Sequence, residues 1–251
     1  MLTTHRRRLI LERLQRAGQV AAKELSGELR VSEDTIRRDL RELAQEGLLQ
    51  RVHGGALPAS AAVTDFAGRQ VLSSEGKCVL GRAAAQMIEP GQVVILDGGT
   101  TALQTARHLP RELRGTVVTH SPTIAVELVE HPNVEVILLG GRLFKHSVVA
   151  IGAATIEAIA RIRADVYFMG VTGIHPTAGL STGDLEEAHI KRALSASAAE
   201  TIVLASPEKL NAASAFVIAP IQEVDEIVVL RDTSQEATSE FERLGITVTR
   251  V

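Results

Sequence analysis

The sequence predicts two units: a small head of three helices and a β-hairpin, and a larger α/β body whose sheet is mostly parallel. Three observations predict this. Residues 1–57 hold three segments of helical periodicity followed by a short strand-turn-strand pattern around "HGG". Beyond residue 69, short β-branched runs alternate with helix-like stretches, the pattern of strands buried on both faces by crossover helices. The charge also divides. Residues 1–57 carry 11 Lys and Arg against 8 Asp and Glu, a net of +3. The rest carries 16 against 22, a net of −6, and together these give the −3 of the 251-residue chain. A basic head on an acidic body implies two jobs.

In the head, residues 5–16 place Leu9, Ile10, Leu14 and Ala17 at helical spacing, and Gly18 ends the run. Residues 21–29 form a second, shorter helix with Leu25 and Leu29 on one face. After the turn "RVS", Ser32 is an N-cap, with Glu33 and Asp34 where the helix dipole favours acids. This third helix runs to about Glu46 and stops at Gly47. On it, Ile36, Leu40 and Leu43 lie within about 60° of each other. Arg37, Arg38 and Arg41 spread over about 100° on the opposite side, with Thr35 on the flank. "LLQRVHGGAL" then reads as two short strands around a turn. A short helix, a tight turn and a capped basic helix make a helix-turn-helix, whose second helix presents its N-terminal residues to base edges in the major groove. Ser32, Thr35, Arg37, Arg38 and Arg41 are the candidate DNA contacts on it. Arg51 and His53 on the hairpin are candidates for the wing of a winged helix. An isolated "RR" is usually only a solvated face. Here the cap, the preceding helix, the hairpin and the basic balance weigh against that.

"PASAAVTD" is small, polar and unperiodic, and is expected to be an exposed, cleavable linker over residues 58–68. In the body (69–251), strands are predicted at 93–96, 116–119, 134–139, 165–170, 201–205, 226–230 and 246–251. Apolar residues make up 45% of the chain, aromatics 2%, and Trp is absent, so Ala, Val, Ile and Leu must build the core. No apolar run nears the ~20 residues of a bilayer span. The N-terminus "MLTTHRRRLILERLQRAG" spaces its apolar residues out, unlike a signal peptide. The single Cys78 excludes an internal disulfide, and the expected home is a reducing cytoplasm.

"VVILDGGTTALQTA" is the chemically suggestive stretch. An apolar strand ends in a glycine-rich corner and a helix follows, the arrangement that presents backbone N–H groups to an anion. Asp97, Gly98, Gly99, Thr100 and Thr101 are candidate ligand groups, although such a loop is a simple tight turn about as often. Other strand-end loops can converge on it: "THS" with His120 and Ser121, "GG" with Gly141, "GVTG" at 170–173, and "ASPEKL" with Lys209. Glu187 and Lys191, spaced i,i+4, are either a surface ion pair or part of the site. No "HExxH", no Cys/His metal spacing and no "GxSxG" turn occurs. Lone histidines such as His146 and His189 are read as ordinary surface or satisfied residues. Neither catalytic residues, a metal nor a cofactor is expected.

"VSEDTIRRDLRELAQEGLLQRVHGGA" closely resembles the signature of DeoR/GlpR-type bacterial transcription regulators. "DGGTT", "VVTHS", "LLGG" and "EEAHIKR" follow in that family's order. The resemblance implies a winged helix-turn-helix and a sensor domain similar to the ribose-5-phosphate isomerase and glucosamine-6-phosphate deaminase sheet. It also implies repression of sugar-catabolism genes and a phosphorylated-sugar effector held by the Asp97–Thr101 loop, and it draws Lys191 toward the site. Two positions depart from the family: His120 stands where Asn is common, and Ser206 where Asp precedes the lysine. The expected partners are double-stranded operator DNA, a sugar phosphate and further copies of the chain, since one small head buries too little surface for specificity. The rival expectation is an isomerase-like enzyme with a DNA-binding appendage.

Overall fold

The computed structural model describes residues 2–251. The head contains α1 (Thr3–Ala17), α2 (Ala22–Leu29) and α3 (Glu33–Gln45). Gly18 closes α1 in the left-handed conformation, its N–H donating to Leu14 O. Ser32 caps α3 by accepting from Thr35 N at 3.2 Å. Ile10, Leu14, Leu25, Ile36, Leu40 and Leu43 meet in a separate head core. The hairpin Leu49–Val52 and Gly55–Pro58 is joined by a third strand of two residues, Val20–Ala21. That strand is too short to show periodicity. It depends on Gly55, where a Cβ would stand 1.9 Å from Val20 O.

An ion pair absent from the sequence reading fastens the head. Asp39, on the core side of α3, is 1% exposed and accepts the guanidinium of Arg6 on α1, with Arg6 Nη2 3.1 Å from Oδ1. Arg7 approaches the same carboxylate at 3.5 Å.

All seven strands expected in the body form one sheet. Its order is Thr247–Arg250, Glu226–Val229, Ala198–Ala205, Ala164–Met169, Val93–Leu96, Gly115–Thr119, Val134–Leu138, with every neighbouring pair parallel. Residues alternate between two cores. Ile95, Tyr167, Met169 and Val203 face one side, and Val94, Leu96, Phe168 and Ile202 the other. From Val93–Leu96 the chain builds outward in one direction, then returns to Ala164–Met169 on its other side and builds the opposite way. The gap between these two strands is therefore the topological switch point, where open α/β sheets bind ligands. Short antiparallel pieces not anticipated from sequence flank the sheet: Arg142–Phe144 with Val149–Ile151, and Gly173–His175, Gly179–Thr182 and Phe216–Ala219. Runs of three or four residues carry no readable period.

The segment expected as an exposed linker is exposed at Ala61, Val63, Thr64, Asp65 and Ala67 but packed at Ser60 and Ala62. Ala213 N donates to Pro58 O at 3.0 Å, Ser60 Oγ donates to Thr172 O, and Ala62 is 1% exposed. Asp65 caps the helix Phe66–Val71. The segment is a strap laid on the body. Its small residues look like linker composition, yet they are what a close backbone approach requires.

The Arg6–Asp39 pair gives a direct test of the head. Asp39→Ala leaves a buried guanidinium unpaired, and should destabilise the head by about 3–5 kcal/mol. Denaturant unfolding followed by far-UV circular dichroism reads this as an early loss of helix signal that the wild type lacks.

Candidate functional site

The first candidate surface is α3. Arg37, Arg38 and Arg41 are exposed on it, opposite buried Ile36, Leu40 and Leu43. Arg37 is held along the helix by Glu33 at 2.7 Å. Ser32 Oγ and Thr35 Oγ1 are 2.8 Å apart at the helix start, and Arg51 and His53 are exposed on the wing. The arginines and the wing residues expected to contact DNA are thus exposed, and Ser32 is committed to its capping bond.

The second candidate is a solvent-open cavity, with an empty volume of about 520 Å³, over the carboxyl ends of the central strands. Gly98, Gly99, Thr100 and Thr101 form one wall. The loop needs both glycines. A Cβ on Gly98 would meet Val149 Cγ1 at 2.1 Å, and Gly99 has φ +116°. Gly99 precedes the helix Thr100–Arg107, whose N-terminus has no side-chain cap. The first N–H groups of such a helix are free for an anion. Thr101 Oγ1 is buried without a hydrogen-bond partner among the described residues, though its side chain lines the cavity. A buried hydroxyl left unsatisfied calls for an explanation.

Four cations line the same space: Arg69, Lys77, Lys191 and Lys209. Lys209 is 6% exposed, and its Nζ donates to Leu204 O at 3.3 Å. Burial lowers its pKa most, Glu208 opposes this, and Lys77, Arg69 and Lys191 lower it further, from the ordinary 10.5 to about 8. Burial likewise lowers Lys77, whose Nζ donates to Arg69 O at 2.7 Å. Three buried lysines and a half-buried arginine thus give this space a concentration of positive charge that an anion would offset.

Four expected ligand residues do not line the cavity. Asp97 is fully buried beneath it and already accepts five hydrogen bonds. Oδ1 takes Gly98 N at 2.7 Å and His120 Nε2 at 2.8 Å. Oδ2 takes Tyr167 OH at 2.8 Å, Gly170 N at 2.7 Å and Lys191 Nζ at 2.6 Å. Burial pushes the Asp97 pKa up, but the charge of Lys191 and the hydrogen bond from His120 outweigh it and hold the carboxyl well below the usual range. His120 is also fully buried, with Nδ1 2.9 Å from Ala150 O. Ser121 is buried against Thr123 and Val148 O. Gly141 is exposed at the edge of the sheet, away from the cavity. Of the two readings open for Glu187 and Lys191, a surface ion pair is not formed: both line the cavity, Lys191 bonded to Asp97 and Glu187 accepting from Ser147 Oγ at 3.1 Å. Ser206 is buried and donates to Glu208 at 2.6 Å. Both departures from the family pattern, His120 and Ser206, therefore sit in the framework beneath the cavity.

Arg69, Lys77 and Ser147 escaped the sequence reading. Arg69 arrives with the strap, and Lys77 lies on the unremarkable helix Ser74–Gln86. Nothing in their local sequence marks them. Among the described residues, no group of His, Cys, Asp and Glu could hold a metal ion, and no helix is long and apolar enough to cross a membrane.

A winged helix with an arginine-bearing recognition helix, carried on a body with a cationic strand-end cavity, is the architecture of a ligand-responsive transcription regulator. Comparison with known proteins gives the family. Residues 6–61 match the DeoR-like helix-turn-helix domain, and residues 72–230 the DeoR C terminal sensor domain. The chain is 34% identical to the HTH-type transcriptional regulator GlpR of Haloferax volcanii over 252 residues, covering 99% of this chain and 98% of the relative. It is 32% identical to the HTH-type transcriptional repressor GlcR of Bacillus subtilis, covering 94% and 92%. With the Glycerol-3-phosphate regulon repressor of Escherichia coli it shares 35% identity, over 77% of each chain. The protein belongs to the DeoR family of transcriptional regulators. Among solved structures, ribose 5-phosphate isomerase A of Methanocaldococcus jannaschii overlaps 58% of this chain and 56% of its own, at 17% identity and a TM-score of 0.41.

The shifted pKa of Lys209 sets a pH dependence for anion binding. Above about 8 the side chain loses its charge, so affinity for a phosphate dianion should fall as pH rises from 7.5 to 9.5. The expected loss is about tenfold, the worth of one charge-assisted hydrogen bond. For the ligand-free fold the sign is opposite. A lysine with a depressed pKa costs stability at low pH, and that cost fades as pH rises from about 8 toward 10.5. Calorimetric titration with inorganic phosphate across this range checks the first effect, and a pH-independent dissociation constant contradicts it.

Proposed function

We propose that the protein is a cytoplasmic repressor of carbohydrate-catabolism genes, released from or driven onto its operator by a phosphorylated sugar bound in the body. The partnerless Thr101 hydroxyl, set at a helix N-terminus inside a four-cation cavity, carries this reading. A phosphate oxygen satisfies that donor, and its charge offsets the mutual repulsion of the lysines. The relatives' names, a glycerol-3-phosphate regulon repressor among them, point the same way.

The strap supplies a route from cavity to head. Ala62 lines the cavity, Ser60 is bonded to the neighbouring Thr172, and two residues earlier Pro58 ends the wing strand. A ligand that repositions residues 60–62 moves the attachment of the head, and by linkage DNA alters ligand affinity by the same factor. On this reading the unit boundaries lie near residues 57 and 69. Two heads are needed for paired half-sites, so the working form is a homo-oligomer. The uncovered edge strand Val134–Leu138, with Ile137 and Leu138 exposed, supports self-association.

The reading has no catalytic role for the body. Asp97, the carboxylate nearest the phosphate loop, has its lone pairs taken by five donors and offers no base for proton abstraction. Turnover of a sugar phosphate by the purified protein would favour the enzymatic alternative.

Thr101→Val tests the proposal. Valine keeps the shape and removes an unsatisfied hydroxyl, so the ligand-free melting point should stay level or rise slightly. At 100 times its dissociation constant, an effector stabilises the wild type by about 2.7 kcal/mol. The variant should lose most of that shift, and its retardation of the DNA upstream of its own gene should no longer respond to the sugar phosphate. Unliganded DNA binding should match the wild type. A normal ligand response in the variant contradicts the proposal.

A further inference from the structure

Glu187 is the one acidic side chain lining this cationic cavity among the described residues. It is 6% exposed, so its carboxylate has given up most of its hydration. Arg69, which lines the same cavity, supplies an opposing charge, but the direct hydrogen bonding is sparse. Ser147 Oγ donates to Oε2 at 3.1 Å, and no protein donor reaches Oε1 among the described residues. The cation one turn further along the helix, Lys191, is bonded to Asp97 instead. The backbone N–H of Glu187 is fixed by the Asp184 cap at 3.0 Å, so the residue is held at the start of its helix.

A buried carboxylate with one hydroxyl donor and a neighbouring guanidinium keeps unused acceptor capacity, and beside a phosphate it also repels the ligand. That arrangement is favourable only if the far end of the ligand brings donors of its own. The cavity geometry allows this. Glu187, Arg69 and Thr172 also line an adjoining cavity, with an empty volume of about 540 Å³, which extends the space away from the Gly98–Thr101 loop. A molecule anchored by phosphate at that loop passes Glu187 as it extends.

We propose that Glu187 is a specificity-determining residue. Its free carboxylate oxygen accepts from ligand hydroxyls, so the body selects a polyhydroxylated phosphate monoester over a plain one. This rests on reading the Gly98–Thr101 loop as the phosphate site. Lys209, Lys77 and Arg69 supply attraction for any phosphate, and Glu187 converts it into discrimination. It weakens binding of a bare phosphate, and recovers the loss only where hydroxyls reach it.

Calorimetric titration of the full chain tests this with ethyl phosphate, glycerol 3-phosphate, ribose 5-phosphate, fructose 1-phosphate, fructose 6-phosphate and glucose 6-phosphate. In the wild type, at least one hydroxylated probe should bind about tenfold to hundredfold more tightly than ethyl phosphate, the worth of a charge-assisted hydrogen bond. Glu187→Gln should move the two kinds of probe in opposite directions. Ethyl phosphate should bind several-fold more tightly, and the best hydroxylated probe more weakly, compressing their ratio by about tenfold. Glu187→Asp keeps the charge and shortens the reach. It should lower the hydroxylated probe's affinity while leaving ethyl phosphate near its wild-type value, and it decides the matter if the Gln variant does not fold. A wild type with no preference for hydroxylated probes, or variants that shift all probes together, overturns the proposal. Failure of every probe, ethyl phosphate included, to bind the wild type overturns the phosphate site itself and this proposal with it.

Discussion

The body is organised around one buried carboxylate. Asp97 lies at the point where the sheet divides. The strand it follows, Val93–Leu96, runs beside Ala164–Met169, and the chain departs from these two in opposite directions. Such a divide leaves a crevice with strand-end backbone groups facing each other across it. Asp97 closes the floor of that crevice. It binds Gly98 N from its own loop and Gly170 N from the opposite one, and gathers His120, Tyr167 and Lys191 from three further elements. Each of these groups is costly to bury alone, and together they satisfy one another. The Gly98–Thr101 loop above rests on this floor, because Gly98 N is turned down to Asp97 while the following residues line the cavity.

The arrangement divides labour between charge that builds and charge that binds. The Asp97–Lys191 pair is neutralised within the fold. Lys209 and Lys77 share one acid, Glu208, 3.8 Å from Lys77 Nζ, and the pKa of about 8 for Lys209 reflects burial first and the repulsion of Lys77, Arg69 and Lys191 after it. A ligand dianion relieves that repulsion, so the strain of assembling the cations is returned as affinity. The strap completes the wall, and through it the head is attached to the lining of the cavity. In the head an equivalent division holds. Asp39 secures α3 from the core side through Arg6, and leaves Arg38 and Arg41 exposed on the outer side.

Much of the architecture was legible in the sequence, for definite reasons. Seven strands buried on both faces need continuous β-branched runs, and those runs were present. The capped basic helix and the glycine-rich corner also carry their geometry locally. What was not legible depended on distant contacts. Asp97, His120 and Ser121 follow strands just as ligand residues do, and nothing local distinguishes a residue facing the cavity from one turned beneath it. Glu187 and Lys191 have the spacing of a surface ion pair, yet a buried acid draws Lys191 away. Arg69 reaches the cavity because the strap folds back over the body, and Lys77 because the helix Ser74–Gln86 packs its Leu80, Ala84 and Ala85 face into the body core. Residues such as Ser60 and Ala62 carry the composition of a loose linker, and only the tertiary fold reveals them as packed.

The central claim is that Asp97 belongs to the framework and the cavity above it to the ligand. The most direct measurement is the unfolding free energy of ligand-free Asp97→Asn beside the wild type. The substitution keeps the volume, but it removes the charge facing Lys191 and turns an N–H₂ group toward donors. If the framework depends on Asp97, the ligand-free protein loses about 3–5 kcal/mol, the cost of breaking a buried ion pair. If Asp97 were instead held in readiness for a ligand, the variant would be as stable as the wild type or more so, and only ligand binding would suffer. That result would contradict the account.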